Sequence, residues 1–422
     1  MVLAEYEGAV AEYQQALAFI RQAGNRRQEI EILLGLSGVY NWYHKTEPAL
    51  QCVNAALAVA LEIGDRASQA SCLVMRGEAI AAGNGQVMEA TADLEEAVRL
   101  SKEIADPRLL ARTLTFAGRN LQWRGKFDRT IVYLKEGAEL ARREHSGFLL
   151  GLGLFSLGHA YLAKGEYDEA LRSYHELRDY AGAAGDKWWI TRTPNCIGAV
   201  HLELYDVEEA VRLNKENDDL AKRLWPWLEP RGHSLVKLGL AHLYSNDHAR
   251  AQEAFEQAWG LLEADPWGRW RWHMPLLCAR GELALAEGRH DEAWTYATQS
   301  LEMATQTDSP KHVARAQRLQ GEILAASGRL DDAVRALDAS VRLAESLQTP
   351  REIWLGKAAL GKVLARLRRE QDAEAHFLQA AHTIEAIADK LQTPSLRRSF
   401  LAAEPVVDIY RTLGHRPQPT LS

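Results

Sequence analysis

Apolar residues along this chain recur at three- and four-residue spacing, the stripe of an amphipathic helix, and no run alternates with the period of two that a strand requires. The stripe is anchored by small residues at a fixed interval. In Gly151–Leu177, "GLGLFSLGHAYLAKGEYDEALRSYHEL", the repeated features are Gly158, Tyr161, Gly165, Tyr167, Ala170 and Tyr174. The first small anchor recurs at Ser37, Gly77, Gly118, Gly158, Gly198, Gly239, Gly281, Gly321 and Gly361, steps of 40 to 42 residues. The second recurs at Ala49, Ala90, Thr130, Ala170, Ala210, Ala251, Ala293, Ala333 and Ala373, 12 residues after the first, or 13 in the case of Ala90. Two helices approach closely only where small side chains meet, so this spacing predicts nine helical hairpins.

The turns agree with that reading. "GKFD" at Gly125, "GEYD" at Gly165, "GRHD" at Gly288 and "GRLD" at Gly328 put glycine where a first helix ends in a left-handed residue. The aspartate that follows is expected at the start of the second helix. Between hairpins, "DP" at Asp106, "SP" at Ser309, and "TP" at Thr349 and Thr393 read as a capping side chain followed by proline. Gly151 and Gly153 are therefore helix-packing glycines. A phosphate loop needs a preceding strand and a following lysine with Ser or Thr, and neither is present. The longest apolar run, Phe148 to Ala163, contains Ser156, His159 and three glycines and is too short to cross a bilayer comfortably; it is expected as a buried helix.

The Gly158–Tyr161–Gly165–Tyr167–Ala170–Tyr174 pattern resembles the tetratricopeptide repeat, and the resemblance covers nearly the whole chain. It implies an all-α fold, a right-handed superhelical α-solenoid of antiparallel helix pairs. The period is longer than the family's usual one. Several repeats are degenerate, with Thr130 and Gly137 for alanines and Asn214 and Asn217 at usually apolar positions. Long repeats of this kind, and the segment "IADKLQTPSLRRSFLAAEPVVDIY" from Ile387 to Tyr410, are similar to the C-terminal arms of large bacterial signalling ATPases and nucleotide cyclases. The expected organisation is a partial leading repeat over 1–24, nine hairpins over 25–390, a capping helix over 391–413 and a tail over 414–422. Ala9, Tyr13 and Ala16 match a second helix whose partner would precede Met1, so the chain is expected to start in mid-repeat. The capping helix would turn Leu396, Phe400 and Leu401 inward.

Composition narrows the function. The net charge of −7, from 50 basic and 57 acidic side chains, argues against a nucleic-acid partner. Cys52, Cys72, Cys196 and Cys278 form no CxxC pair and sit within helical pattern, so buried thiols and a cytoplasmic setting are expected. Met1 to Ile20 has no leader pattern, and no membrane partner is expected. HExxH, GxSxG and P-loop motifs are absent, so neither an enzyme nor a metal or cofactor is expected.

In tetratricopeptide arrays the first helices line a concave groove that binds proteins or peptides. Positions six and three before each anchor, and one, four and five after it, are the expected groove positions. They give Asn41, Trp42, Arg112, Arg119, Trp123, Phe155, His159, Arg192, Asn195, His233 and Tyr244, then Arg315, Arg318 and Lys362. These make a mildly basic groove suited to a carboxylate or acidic peptide. The competing reading is a solvated face paired with Glu31, Glu78, Glu282 and Glu322. Tryptophans cluster between Trp188 and Trp272, at 188, 189, 225, 227, 259, 267, 270 and 272, with Arg269 and Arg271 interleaved; either connections fold back to bury them or they form a binding surface. The expected function is a non-enzymatic scaffold for a protein or peptide, the regulatory arm of a larger signalling protein, with another domain of the same polypeptide as one candidate partner. The alternative is a sensor whose curvature changes when a small molecule or peptide binds near Arg119, His159 and Arg192.

Overall fold

The computed structural model describes residues 2–224, 228–264 and 270–414, apart from the side chains of residues 2–5 and 84. The expected tail beyond Gly414 lies outside the described residues. Among them the chain is helical without a strand. Helix α1 (Val2–Ala23) precedes four hairpins: α2 (Arg26–Trp42) with α3 (Thr46–Glu62), α4 (Arg66–Asn84) with α5 (Val87–Ile104), α6 (Pro107–Trp123) with α7 (Phe127–Arg143), and α8 (Gly147–Ala163) with α9 (Tyr167–Ala184). The fifth has a split first limb, α10 (Lys187–Ile190) and α11 (Thr193–Glu203), before α12 (Val207–Leu224). Then come α13 (Glu229–Tyr244) with α14 (His248–Ala264), α15 (Trp270–Ala286) with α16 (His290–Gln306), α17 (Pro310–Ala326) with α18 (Leu330–Leu347), and α19 (Pro350–Arg366) with α20 (Glu370–Lys390). Two short helices follow, α21 (Pro394–Ala402) and α22 (Glu404–Thr412).

The anchors work by steric fit. Every second anchor is buried, from Ala49 to Ala373. A Cβ added at Gly158 would lie 2.3 Å from the Tyr174 ring, at Gly239 2.2 Å from Phe255, at Gly321 2.5 Å from Leu337, and at Gly118 2.8 Å from Leu134. Each of these four anchors thus receives a large side chain one turn beyond the small anchor of its partner helix, whereas Gly281 is met by Leu319 of the next first helix and Gly198 by Asn214. Ser37 takes the glycine position by donating its hydroxyl to the Ala49 carbonyl at 2.9 Å. Asn214 and Asn217 are fully buried. Asn214 donates to the Ala210 carbonyl and accepts from the Asn195 amide, both at 2.7 Å, while Asn217 donates to Ser234 Oγ at 2.8 Å. Their polarity is satisfied inside the array, which is why the apolar pattern can lapse there.

Several local details differ from the sequence expectation. The turn aspartates do sit at the start of the second helices, within the first turn, where Asp128, Asp168, Asp291 and Asp331 act on the helix dipole instead of capping. Asp106 does cap, accepting from the Arg108 and Leu109 amides at 2.9 and 3.2 Å. Thr349 instead turns its hydroxyl back to the Ala344 carbonyl at 3.2 Å. The segment expected as one capping helix breaks at Ala403, because Pro405 lacks an N–H and would clash with the carbonyl four residues earlier. Leu396 and Phe400 are buried as expected, and Leu401 is half-buried.

The chain forms two compact units, Met1–Ser156 with Gln306–Asp308, and Leu157–Thr305 with Ser309–Ser422. In the first, α1 packs on α2, with Tyr13 filling the space at Gly35. Ile30, Val53 and Ala56 form one core cluster, and Leu94, Val98 and Leu114 another. In the second, Phe255, Leu276 and Leu283 centre a further cluster. Within each unit successive first helices pack on one another: α2 on α4 and α4 on α6, then α11 on α13, α13 on α15, α15 on α17 and α17 on α19. No comparable contact joins successive second helices among the described residues. The first-helix row is therefore the concave side of each unit.

Candidate functional site

In the first unit, Asn41 is half-buried and Trp42 is 44% exposed at the end of α2. Arg119 on α6 donates to Glu78 of α4 at 2.6 Å, so this cation is paired along the row. Arg112, two turns earlier, has no hydrogen-bond or ion-pair partner among the described residues. Burial pulls its guanidinium below its ordinary value, with only the Cys72 thiol opposing. Trp123 is half-buried at the end of α6, and Phe155 is half-buried on α8.

In the second unit the expected residues fall into separate small networks. His159 Nδ1 pairs with the Tyr174 hydroxyl at 3.0 Å, the rings meeting edge-on. Arg192 is buried: it donates to the Trp188 carbonyl at 2.9 Å and to Glu229 at 2.7 Å, and stacks 3.6 Å from the Trp188 ring centroid. His233 lies 3.6 Å from the other Glu229 oxygen, so Glu229 joins Arg192 to His233. Burial alone would raise the Glu229 carboxyl, but Arg192, His233 and Arg271 outweigh it and hold it well below the usual carboxylate range. Asn195 belongs to the asparagine network beneath the row. Lys362 is exposed on α19, 2.7 Å from Asp408.

A denser cluster forms where α11, α13, α15, α17 and α19 converge. Arg315 donates to Glu282 at 2.9 Å. Arg318 reaches Glu282 at 3.4 Å, Glu322 at 2.7 Å and Glu352 at 3.5 Å. Arg351 donates to the Glu203 carbonyl at 3.0 Å and to the Tyr244 hydroxyl at 3.2 Å, and its guanidinium lies 5.3 Å from the Tyr205 ring centroid. The Tyr167 hydroxyl donates to the Glu203 carboxylate at 3.4 Å. Burial pushes the Tyr244 phenol up to about 12. Arg119 pairs with Glu78, and Arg315 and Arg318 with Glu282 and Glu322, as the competing reading has it, but Arg318 is buried rather than on a solvated face.

The half-buried Lys237 and Lys311 belong to the same cluster. Neither has an ion-pair or hydrogen-bond partner among the described residues. The groove spacing missed both, and Arg351 with them. Lys237 did leave a signal, as the one charge in the apolar stretch "SLVKLGL" of α13. Glu203 fits the spacing, five residues after Gly198, while Arg351 leaves no local trace.

The tryptophans divide by position. Trp189, Trp270 and Trp272 are buried, and Trp272 fills the space at Gly232, where a Cβ would meet it at 2.2 Å. Trp259 donates to Glu263 at 2.8 Å and stacks with Arg280, 4.9 Å from its centroid. Arg271 lies 6.0 Å from the Trp270 centroid. Trp225, Trp227, Trp267 and Arg269 lie outside the described residues. All four cysteines are free, and Cys72, Cys196 and Cys278 are buried. Among the described residues no His, Cys, Asp and Glu grouping suits a metal, and no helix is long and apolar enough to cross a membrane.

Residues 274–346 match the family model of the tetratricopeptide repeat. No curated protein matches the chain. Among solved structures, a Rap protein complexed with competence and sporulation factor aligns with a TM-score of 0.62 at 13% identity, over 86% of this chain and 99% of its own. The APC/C hetero-tetramer Cut9–Hcn1 aligns with a TM-score of 0.53 at 14% identity, over 96% of this chain and 82% of its own. Aspartyl phosphate phosphatase F from Bacillus subtilis aligns with a TM-score of 0.50 at 12% identity, over 84% of this chain and 93% of its own. At such identities the likeness is one of fold. The family model sits on α15 to α18, so residues 274–346 carry tetratricopeptide repeats, and hairpins of the same kind lie on either side of them in an all-α solenoid of antiparallel helix pairs.

Proposed function

We propose that this protein is a non-enzymatic scaffold that binds a protein or peptide along its first-helix rows. One observation carries the reading. The concave row of the second unit concentrates charged and aromatic groups (Arg192, His233, Lys237, Tyr244, Arg315 and Arg351) on helices whose other faces are apolar. A solenoid needs no such groups to stack; a partner does. In the first unit Asn41, Trp42, Arg112, Arg119, Trp123 and Phe155 are the corresponding contacts, and His159 and Asn195 complete the set in the second. A Rap protein of this fold is complexed with competence and sporulation factor, in keeping with a ligand held by such a scaffold. The free cysteines suit a cytoplasmic setting. The role is regulatory, as an arm of a larger signalling protein, with a domain of the same polypeptide among the candidate partners.

Random peptides selected on the folded protein test this. With p-benzoylphenylalanine in place of His233, selected peptides should crosslink; with it in place of Arg212, on a second helix, they should not. Crosslinking at 212 alone would overturn the reading. A second reading, a sensor that changes curvature, draws support from contacts that pin the curvature of the second unit: Lys164 donates to Gln348 at 2.5 Å, and Gly165 abuts Pro350. Ligand-dependent small-angle scattering tests it, and an unchanged profile at saturation would count against it.

A further inference from the structure

Contacts between hairpins far apart in sequence run along one rim of the second unit's concave row. The Lys164 ammonium, in the turn from α8 to α9, donates to Gln348 Oε1 at 2.5 Å. Beside it, a Cβ on Gly165 would lie 2.5 Å from Cγ of Pro350, the first residue of α19. Asp168, in the first turn of α9, accepts from the Gln392 amide at 2.8 Å and from the Thr393 hydroxyl at 3.4 Å, in the connection from α20 to α21. Arg351, next to Pro350, donates to the Glu203 carbonyl at the end of α11 at 3.0 Å and to the Tyr244 hydroxyl at the end of α13 at 3.2 Å. The ends of α8, α11 and α13 are thus met by the start of α19, three to five hairpins later. This seam is polar, and Gln348 and Gln392 are exposed, so water can take over their bonds at little net cost. Among the described residues no two helices pack across it as successive first helices do. A joint of that kind opens before the apolar hairpins do.

We propose that the seam is an autoinhibitory contact: it shuts the second unit's concave row from the side, and a peptide enters the row only when the seam parts. The proposal concerns regulation of the groove described above and rests on that reading. The groups that close the seam belong to the row itself. Arg351 and Tyr244 both lie on first helices, and they spend their polar atoms on each other and on Glu203. A peptide crossing the rim at Arg351 has to break those bonds, so seam and ligand compete for the same donors. The two turns are also in direct contact, because Gly165 leaves no room for a methyl against Pro350. Finally, an interface built to stay shut is large and apolar, whereas this one is a short line of hydrogen bonds with one glycine–proline contact. A mostly closed population weakens apparent affinity in proportion to the open fraction, and it slows capture.

The test gives the full chain a lock and a wedge. A Cβ on Gly165 would lie 3.7 Å from Pro350 Cβ, within the disulfide range of about 3.5–4.5 Å. Gly165→Cys with Pro350→Cys should therefore oxidise to a bond across the seam, identified by mass spectrometry of a digest, and Gly165→Cys alone controls for strain in the turn. Gly165→Asn is the wedge. Asn246 holds a φ of 58° in the equivalent turn, so the backbone accepts asparagine while its side chain collides with Pro350. A fluorescein-labelled peptide selected on the parent reads capture by stopped-flow polarisation. The oxidised pair should capture it roughly tenfold or more slowly than its own reduced form, and dithiothreitol should restore the rate. The wedge should capture it roughly threefold or more faster than the parent. Three results would overturn the seam: a cysteine pair that does not oxidise, an oxidised pair that captures at the reduced rate, or a folded wedge that captures at the parent rate. If peptides still crosslink to p-benzoylphenylalanine at position 233 after such a result, the groove reading stands without the seam. If no peptide crosslinks there in any form, oxidised or reduced, both fall.

Discussion

At the scale of single residues, the anchors and the half-buried amine make opposite predictions about stability. Gly158→Ala places a methyl 2.3 Å from the Tyr174 ring, whose hydroxyl is held by His159, so the ring cannot yield freely. The expected loss is about 1–3 kcal/mol by urea denaturation. Gly182→Ala, in the exposed last turn of α9 with nothing within 4 Å, should instead gain up to about 1 kcal/mol, because the unfolded chain loses more freedom than the helix does. Lys237→Met should stabilise at neutral pH by about 1–3 kcal/mol, since it removes a half-buried charge disfavoured by desolvation and by Arg315. The pH dependence has a definite sign. The folded-state amine titrates near 8, below the ordinary lysine value of about 10.4, so its cost is complete below pH 8 and disappears as pH rises to that value. The advantage of Lys237→Met over the parent should therefore shrink between pH 8 and 10. An advantage that stays constant over that interval would mean the amine is not perturbed.

At the scale of the element, each hairpin turn uses one left-handed residue, and glycine is only the legible form of it. Gly125, Gly165, Gly288 and Gly328 have φ of 68°, 68°, 76° and 81°; His44, Tyr205, Asn246 and Arg368 occupy the same turn at 64°, 59°, 58° and 61°. A side chain in that region costs about 1–2 kcal/mol. Arg368→Gly, at an exposed turn, should therefore raise the thermal midpoint by about 1–2 °C for about 1 kcal/mol gained. A lower midpoint would mean that the arginine makes up for its backbone strain by contacts. The hairpins could be read from the sequence because their small anchors and glycine turns recur at one interval. The asparagine network could not, since Asn214 and Asn217 are satisfied by Asn195, Ser234 and main-chain carbonyls that only folding brings near. The break at Ala403 was legible in principle from Pro405, but the apolar stripe runs through it.

At the largest scale, the missed part of the candidate site lies where the second unit's curvature brings distant repeats together. Arg351 meets Glu203 and Tyr244 across 148 and 107 residues of sequence. The same curvature sets Asp168, at the start of α9, against the Gln392 amide at 2.8 Å and the Thr393 hydroxyl at 3.4 Å. Per-repeat spacing describes neighbours, and these contacts depend on the rotation accumulated over five repeats, so no local pattern announces them. They also make a physical prediction. Asp168 accepts a main-chain hydrogen bond with a charged oxygen, an interaction of about 1.5–3 kcal/mol. Asp168→Ala should therefore speed hydrogen exchange at the Gln392 amide by roughly tenfold or more, while amides of α13, held by the hairpin core, stay protected. The thermal midpoint should move little, because the anchors that stack each hairpin are untouched. If exchange at Gln392 is unchanged, the closing contact contributes nothing to holding the unit's curvature. Arg351 would then owe its place to its own bonds with Glu203 and Tyr244, and Arg351→Met should by itself release the Tyr205–Tyr244 ring pair, which sits at 5.4 Å.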